Sequence, residues 1–126
     1  MTASLKYTTQ HVIERMAQSI GAEFQVDTEM MFSRSRIEQA AMARQVLMVM
    51  LCRKGMSLHQ CARELDRDHG TINHAHKSVQ NRRDTDRHFD EVFRRIDAEF
   101  REMPSIHQPK AWAISSIGDL AQPYYF

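Results

Sequence analysis

The chain of 126 residues has few of the residues that interrupt helices, with only four glycines and three prolines. Together with nine methionines, this composition favours helices over sheets. The chain also lacks a charge excess, because 17 lysines and arginines face 16 aspartates and glutamates, for a formal net charge of +1. A strongly basic total would have indicated a nucleic-acid partner directly. Any such binding must therefore depend on local basic clusters.

Cysteines and long apolar runs are also scarce. Cys52 and Cys61 are the two cysteines, and we expect both to be small buried residues in a reducing compartment. The longest apolar run, residues 46–51, is too short to cross a membrane, and residues 1–6 lack the apolar segment of a signal peptide. The sequence therefore predicts a soluble cytoplasmic protein with no membrane partner.

Hydrophobic periodicity predicts an all-α fold of about six helices, and no alternating pattern indicates a strand. Two glycines, Gly21 and Gly55, are expected to end helices. The predicted elements are, in chain order, a helix capped by Thr8 or Thr9 and ended by Gly21, a brief turn or helix capped by Asp27 or Thr28, a long helix from Ile37 to about Lys54, a helix capped by Ser57, a helix from about His69 to Arg83 capped by Asp68, and a helix capped by one of residues 84–86 and ended by Pro104.

These helices form one predicted domain, residues 1–103, followed by a tail, residues 104–126. The last helix carries an apolar stripe that forms either part of the core or a dimer interface. Its members are Phe89, Val92, Phe93, Ile96 and Phe100. The core is the favoured interpretation, and a monomer is favoured over a dimer. The tail has enough apolar residues either to fold back on the domain or to dock on a partner.

Residues 57–65 and the helix that follows them have the arrangement of a helix-turn-helix. A tight turn joins the two helices, and the second helix has Ile72, Ala75 and Val79 on its inner face. Polar side chains at its start and on its outer face are suited to contact base edges or phosphates in the major groove. They are Arg67, Asp68, His69, Thr71, His74, Lys77 and Ser78. The alternative is the solvated face of an ordinary helical bundle.

Two other kinds of site are poorly supported. Structural zinc ligands have a characteristic spacing, and Cys52 and Cys61 are too far apart to match it. Nucleophilic catalysis is no better supported, because Cys61 and His59 point in different directions on one helix and no orienting carboxylate is implied. The sequence therefore predicts no metal, no cofactor and no enzymatic activity.

One motif resembles the C-terminal DNA-binding domain, domain IV, of the bacterial replication initiator DnaA. That family has Arg-Asp-His-Thr-Thr-Val/Ile-x-His-Ala at the start of its recognition helix, and this chain has Arg67-Asp68-His69-Gly70-Thr71-Ile72-Asn73-His74-Ala75. Weaker matches are Ser57-Leu58 at the start of the preceding helix, Arg44-Gln45 in the long helix and the basic stretch Arg34-Ser35-Arg36. The similarity covers roughly residues 9–100, and it implies a helix-turn-helix bundle similar to DnaA domain IV and the Trp repressor.

The resemblance also implies roles for the residues that precede the helix-turn-helix. Arg36, alone or with Arg34, would enter the minor groove, where a narrow A·T-rich groove attracts arginine. Arg44 and Gln45 would hold phosphates. This basic stretch has fewer basic residues than the corresponding stretch in the family.

At the motif itself, the resemblance implies that Asp68, His69 and Thr71 contact bases in the major groove. Arg67 and Lys77 would contact the bases or the backbone beside them. The chain departs from the family at Gly70, which lacks the hydroxyl and methyl of the usual threonine, and before Arg67, where a Gly-Gly pair is usual. A changed or relaxed target site is therefore expected.

The chain has no Gly-x-x-x-x-Gly-Lys-Ser/Thr loop, so no nucleotide is expected to bind. We therefore expect a stand-alone DnaA-like protein without the ATPase domain, or a fragment. Its predicted function is sequence-preferring binding to double-stranded DNA, in DNA replication initiation or control or in transcriptional regulation. The alternative is a helical protein–protein interaction module that kept the fold and lost DNA binding. Salt dependence separates the two, because phosphate neutralisation makes affinity fall steeply with salt.

Overall fold

The predicted all-α architecture is confirmed by a computed structural model, which describes residues 9–103. The predicted tail, residues 104–126, lies outside the described residues, as does the candidate cap Thr8. Within the described range, no strand is present. The helices are α1 (Thr9–Phe24), α2 (Thr28–Phe32), α3 (Glu38–Arg53), α4 (Leu58–Leu65), α5 (His69–Thr85) and α6 (Arg87–Arg101). None of them is long and apolar enough to span a membrane.

Four helices begin at the short polar residues that the sequence proposed as caps. The side chains of Asp27, Ser57, Asp68 and Asp86 each accept a hydrogen bond from the backbone N–H three residues later, at distances of 2.8 to 3.1 Å. Such a bond satisfies one of the four donors that a helix leaves free at its start. The starts of α2, α4, α5 and α6 were therefore predicted from local chemistry alone.

The two glycines that were expected to end helices behave differently. Gly55 has a φ of 104° directly after α3, and the next residue, Met56, donates from its N–H to the carbonyl of Leu51 at 3.1 Å, as in a typical helix stop. The prediction for Gly21 was wrong, because α1 continues to Phe24. Gly21 instead lies where the returning chain crosses the helix, and a Cβ there would collide with the carbonyl of Val26.

The long helix α3 is the centre of the core. It packs against α1, α2, α4 and α5, and residues 46–51 are buried without a break. A run of six buried positions covers every side of a helix, so the C-terminal half of α3 is enclosed by its neighbours.

The apolar stripe of α6 faces this core. All five of its residues are 0–6% exposed, so its assignment to the core rather than to a dimer interface is confirmed. The ring of Phe93 is 1% exposed and lies near two cations, with the guanidinium carbon of Arg83 4.2 Å and that of Arg53 5.1 Å from its centroid. Phe93 thus contributes both burial and cation–π contacts to the packing of α6.

Replacing Phe93 with alanine is expected to lower the free energy of unfolding by about 3–5 kcal/mol, because the change leaves a large cavity under α6. Urea denaturation followed by circular dichroism measures the loss. Phe32→Ala is the matched control, since Phe32 is 38% exposed and its loss should cost far less. Equal effects of the two substitutions would contradict the placement of the Phe93 ring in the core.

Candidate nucleic-acid interface

The turn between α4 and α5 is tight and closed by backbone hydrogen bonds. Asp66 ends α4 in the left-handed conformation, with a φ of 56°, and the N–H of Arg67 donates to the carbonyl of Ala62 at 2.9 Å. This conformation suits glycine best and aspartate better than most other residues. Asp66 therefore fills the position where the initiator family has glycine, and α5 begins two residues beyond Arg67.

The start of α5 is held by Asp68 and Thr71. One carboxylate oxygen of Asp68 accepts two hydrogen bonds from Thr71, from its backbone N–H at 2.8 Å and from its hydroxyl at 2.9 Å. The bond from the Thr71 backbone, followed by the one from its hydroxyl, lowers the pKa of Asp68. The carboxylate is therefore anionic at neutral pH, and its second oxygen remains available to a donor on a base.

The two faces of α5 are those predicted from its sequence. Ile72, Ala75 and Val79 are buried against the core. Among the polar candidates, Asp68, His69, His74 and Lys77 are exposed, and Thr71 is half-buried. The Nε2 atom of His74 is 3.2 Å from the hydroxyl of Ser78, one turn further along the same face. The exposed face of the helix therefore presents donors and acceptors near its N-terminus and a lysine beyond them.

Arg67 joins the turn to the segment before α3. Its Nη2 donates to the carbonyl of Ser33 at 2.7 Å, and its Nη1 donates to the carbonyls of Leu65 and Asp66, both at 3.2 Å. Burial, and then the positive charge of Arg34, lowers the pKa of Arg67. Sequence reasoning missed this contact with Ser33, because no local pattern links two residues that lie 34 positions apart.

Arg44 holds the same segment from the other side. Its Nε donates to the carbonyl of Met31 at 2.8 Å, and its Nη2 donates to the carbonyls of Ser35 at 3.1 Å and Met30 at 3.4 Å. Burial, followed by the charges of Arg67 and Arg34, lowers the pKa of Arg44. Gln45 is half-buried beside it. The predicted phosphate contacts of Arg44 and Gln45 stay predictions, and Arg44 has in addition a structural role.

Residues 33–37 form a basic loop between α2 and α3. Arg34 donates from Nη2 to the side chain of Asp66 at 3.3 Å and to its backbone carbonyl at 3.2 Å. Arg36 is exposed and makes no hydrogen bond or ion pair with residues 9–103. The basic loop therefore lies against the turn that opens α5 and keeps one guanidinium directed to solvent.

A second cluster of ionisable groups lies beneath α5, where Cys52 of α3, Cys61 of α4 and His76 of α5 meet. A hydrogen bond from the Cys61 thiol, followed by the contact with His76, lowers the pKa of Cys52 to about 5. The hydrogen bond to Cys52, followed by one between Nδ1 and the Ile72 carbonyl, raises the pKa of His76. Cys61 is buried as expected, whereas Cys52 is half-buried. Although these three side chains are close together, neither they nor any other group of three or more His, Cys, Asp or Glu side chains within residues 9–103 has an arrangement that could hold a metal ion.

A family model described as the bacterial DnaA protein helix-turn-helix matches residues 13–79. This match covers just over half of the chain, from α1 to most of α5. The chain belongs to the bacterial DnaA helix-turn-helix family. No curated protein and no solved structure matches it. Domains of the DnaA family bind DNA and are not catalytic, so DNA is the partner class of this chain as well. All ten candidate site residues lie inside the matched segment.

Arg67→Lys is expected to lower the free energy of unfolding by about 1–2 kcal/mol, because an ammonium group cannot reach three carbonyls that lie in different directions. Chemical denaturation measures this loss, and amide hydrogen exchange should become faster in residues 33–37. Arg63→Lys on α4 is the matched control, since the side chain of Arg63 is exposed and makes no hydrogen bond or ion pair with the described part of the chain. A loss no greater than that of the control would show that the bridge of Arg67 contributes nothing to stability.

Proposed function

We propose that this domain binds double-stranded DNA with a sequence preference, through two elements at once. The first turn of α5 enters the major groove, and the basic loop enters the adjacent minor groove. The bridge from Arg67 to the carbonyl of Ser33 is the observation that carries this proposal, because it keeps both elements side by side. The process is the initiation or control of replication, or the regulation of transcription, and the bound unit is a monomer.

In the major groove, His69 and Thr71 are the principal candidates for base contacts. An imidazole can donate to or accept from a base edge, and the methyl group of threonine can pack on a thymine methyl. Asp68 can accept from the amino group of cytosine through its free oxygen. His74 and Lys77 lie further along the exposed face and are suited to the flanking bases or phosphates.

In the minor groove, Arg36 is the principal candidate, since its exposed guanidinium has all its donors available. Arg34 is the second candidate. Its ion pair with Asp66 links side chains that are 71% and 94% exposed, so it is weak and easily exchanged for a phosphate. Arg44 and Gln45 lie next to the basic loop and are proposed to contact the backbone, which fixes the register of the domain on the duplex.

The near-zero net charge does not by itself oppose DNA binding, because several of the acidic groups lie away from the proposed interface and are already paired. On α6, Asp90 pairs with Arg83 at 2.6 Å and Asp97 pairs with Arg53 at 3.2 Å. Glu23 of α1 pairs with Arg95 of α6 at 2.8 Å. These contacts are on the α1 and α6 side of the domain. Arg36 and Lys77, in contrast, are exposed and form no ion pair with residues 9–103, so they can supply local positive charge for phosphates.

Fluorescence anisotropy tests the proposal with a duplex enriched from a randomised pool and a scrambled duplex, each at two salt concentrations. The affinity should fall with salt with a log–log slope of about −0.9 for each phosphate contacted. His69→Ala should reduce the preference between the duplexes by about 1–3 kcal/mol. Arg36→Ala should weaken binding to both duplexes, through the loss of a minor-groove contact.

Two variants serve as controls in this experiment. His88→Ala and Arg15→Ala each remove an exposed side chain of the same type from α6 and α1, away from the proposed interface. Neither should change affinity or preference by more than a small factor. No binding to either duplex at low salt, or binding that salt does not weaken, would overturn the proposal and favour a protein–protein interaction module.

Gly70→Thr is expected to move the preference of the domain toward the target of the threonine-containing family members. A Cβ at this exposed position would have only one close neighbour, a carboxylate oxygen of Asp68 at an ordinary 3.5 Å, so the site has room for a Cβ. Gly70→Ala is the control, because it also removes the backbone freedom of glycine but adds neither the hydroxyl nor the extra methyl of threonine. In a competition assay, the ratio of the affinity for a DnaA-type duplex to that for the selected duplex should be at least about fivefold higher in Gly70→Thr than in Gly70→Ala. Equal ratios in both variants would refute a role for residue 70 in target choice.

A further inference from the structure

Two histidines from different helices are in ring contact at the start of the recognition helix. His59 is the second residue of α4 and His69 is the first residue of α5. Their ring centroids are 4.0 Å apart with an interplanar angle of 74°, which is an edge-to-face arrangement. Both side chains are exposed. The contact therefore lies on the surface that carries the proposed base contacts, and core packing does not explain it.

Edge-to-face contact restricts the orientation of an exposed imidazole. Aromatic rings prefer this geometry, because the positive edge of one ring faces the negative face of the other. Without a neighbour, the ring of His69 would sample several rotamers at the end of a helix. A ring that is already ordered loses less conformational entropy when it forms a directional hydrogen bond with a base.

We propose that His59 is a positioning residue for the base contact of His69. The inference rests on the proposed DNA-binding function. The His59 ring packs against the His69 ring and selects the orientation in which a nitrogen of His69 meets the base edge. The sequence preference of the domain then depends on both rings together, although only one of them contacts the base.

The pair has no other evident role among the described residues. Neither ring makes a hydrogen bond or an ion pair with residues 9–103, and no third side chain joins the two to form a metal site. A direct contact between His59 and DNA is the competing explanation. In that case the two histidines would contribute independently, whereas positioning makes their contributions depend on each other.

A double-mutant cycle separates the two explanations. The preference for the selected duplex over the scrambled one is measured for the parent, His59→Ala, His69→Ala and the double variant. His59→Ala should reduce the preference by roughly three- to tenfold, the range expected when one side chain must be ordered on binding. The double variant should lose no more than His69→Ala alone. Additive losses would overturn the proposal.

Conservative replacement provides a rescue. His59→Phe retains an aromatic ring against His69 but has no donor or acceptor for DNA, so it should restore most of the preference. Failure of this variant to recover the preference would also overturn the proposal. Gln60→Ala is the control on the same helix, next to His59, and should leave the preference unchanged.

The free protein gives an independent measurement. In the NMR spectrum, the Hδ2 and Hε1 signals of His69 should move by several tenths of a ppm in His59→Ala, because the ring current of His59 is lost at the short distance seen here. Unchanged signals would refute the contact itself. If the parent protein shows no sequence preference, both the proposed function and this role of His59 are overturned. If the parent protein is specific but the losses of preference in His59→Ala and His69→Ala add up in the double variant, only the role of His59 is overturned.

Discussion

The proposed interface of this domain is shaped by two arginines that donate hydrogen bonds to backbone carbonyls. Arg44 and Arg67 together donate to six carbonyls in residues 30–35 and 65–66, at distances of 2.7 to 3.4 Å. These carbonyls lie in the last turn of the short helix α2, in the loop after it and at the left-handed turn that ends α4, where no continuing helix supplies enough N–H donors. A planar guanidinium carries several donors in fixed directions, so one side chain can bind carbonyls from two segments. The basic loop and the start of α5 are joined in this way.

This arrangement divides the basic residues by task. Arg44 and Arg67 are half-buried and shape the surface, whereas Arg36 and Lys77 are exposed and have donors available to a ligand. The resemblance to the initiator family implies that the first pair contact DNA, which stays a prediction, and the structure gives each of them carbonyl partners as well. The two tasks are compatible, because a guanidinium that is held by carbonyls keeps its charge and is already ordered when a phosphate approaches.

The sequence was most informative where the deciding chemistry is local. Asp68 as a helix cap, Gly55 as a helix stop and the buried stripe of α6 were all predicted, because each depends on neighbours within one or two turns. The expected stop at Gly21 was wrong, because its small size serves a crossing with Val26 rather than a turn. The bridge of Arg67 to Ser33 and the contact of His59 with His69 join residues that are distant in sequence, so no periodicity could signal them.

The first turn of α5 shows how this member of the family manages without the usual threonine at position 70. Gly70 offers no side chain for contact and raises the conformational entropy of the unfolded turn. Contacts of the neighbouring side chains restrict this turn instead. Asp68 accepts two hydrogen bonds from Thr71, and the ring of His69 packs against that of His59. The side chains on both sides of the glycine are therefore ordered before DNA arrives. Under the proposed function, specificity at this helix depends on preorganised neighbours rather than on residue 70, which favours a changed target site over a lost function.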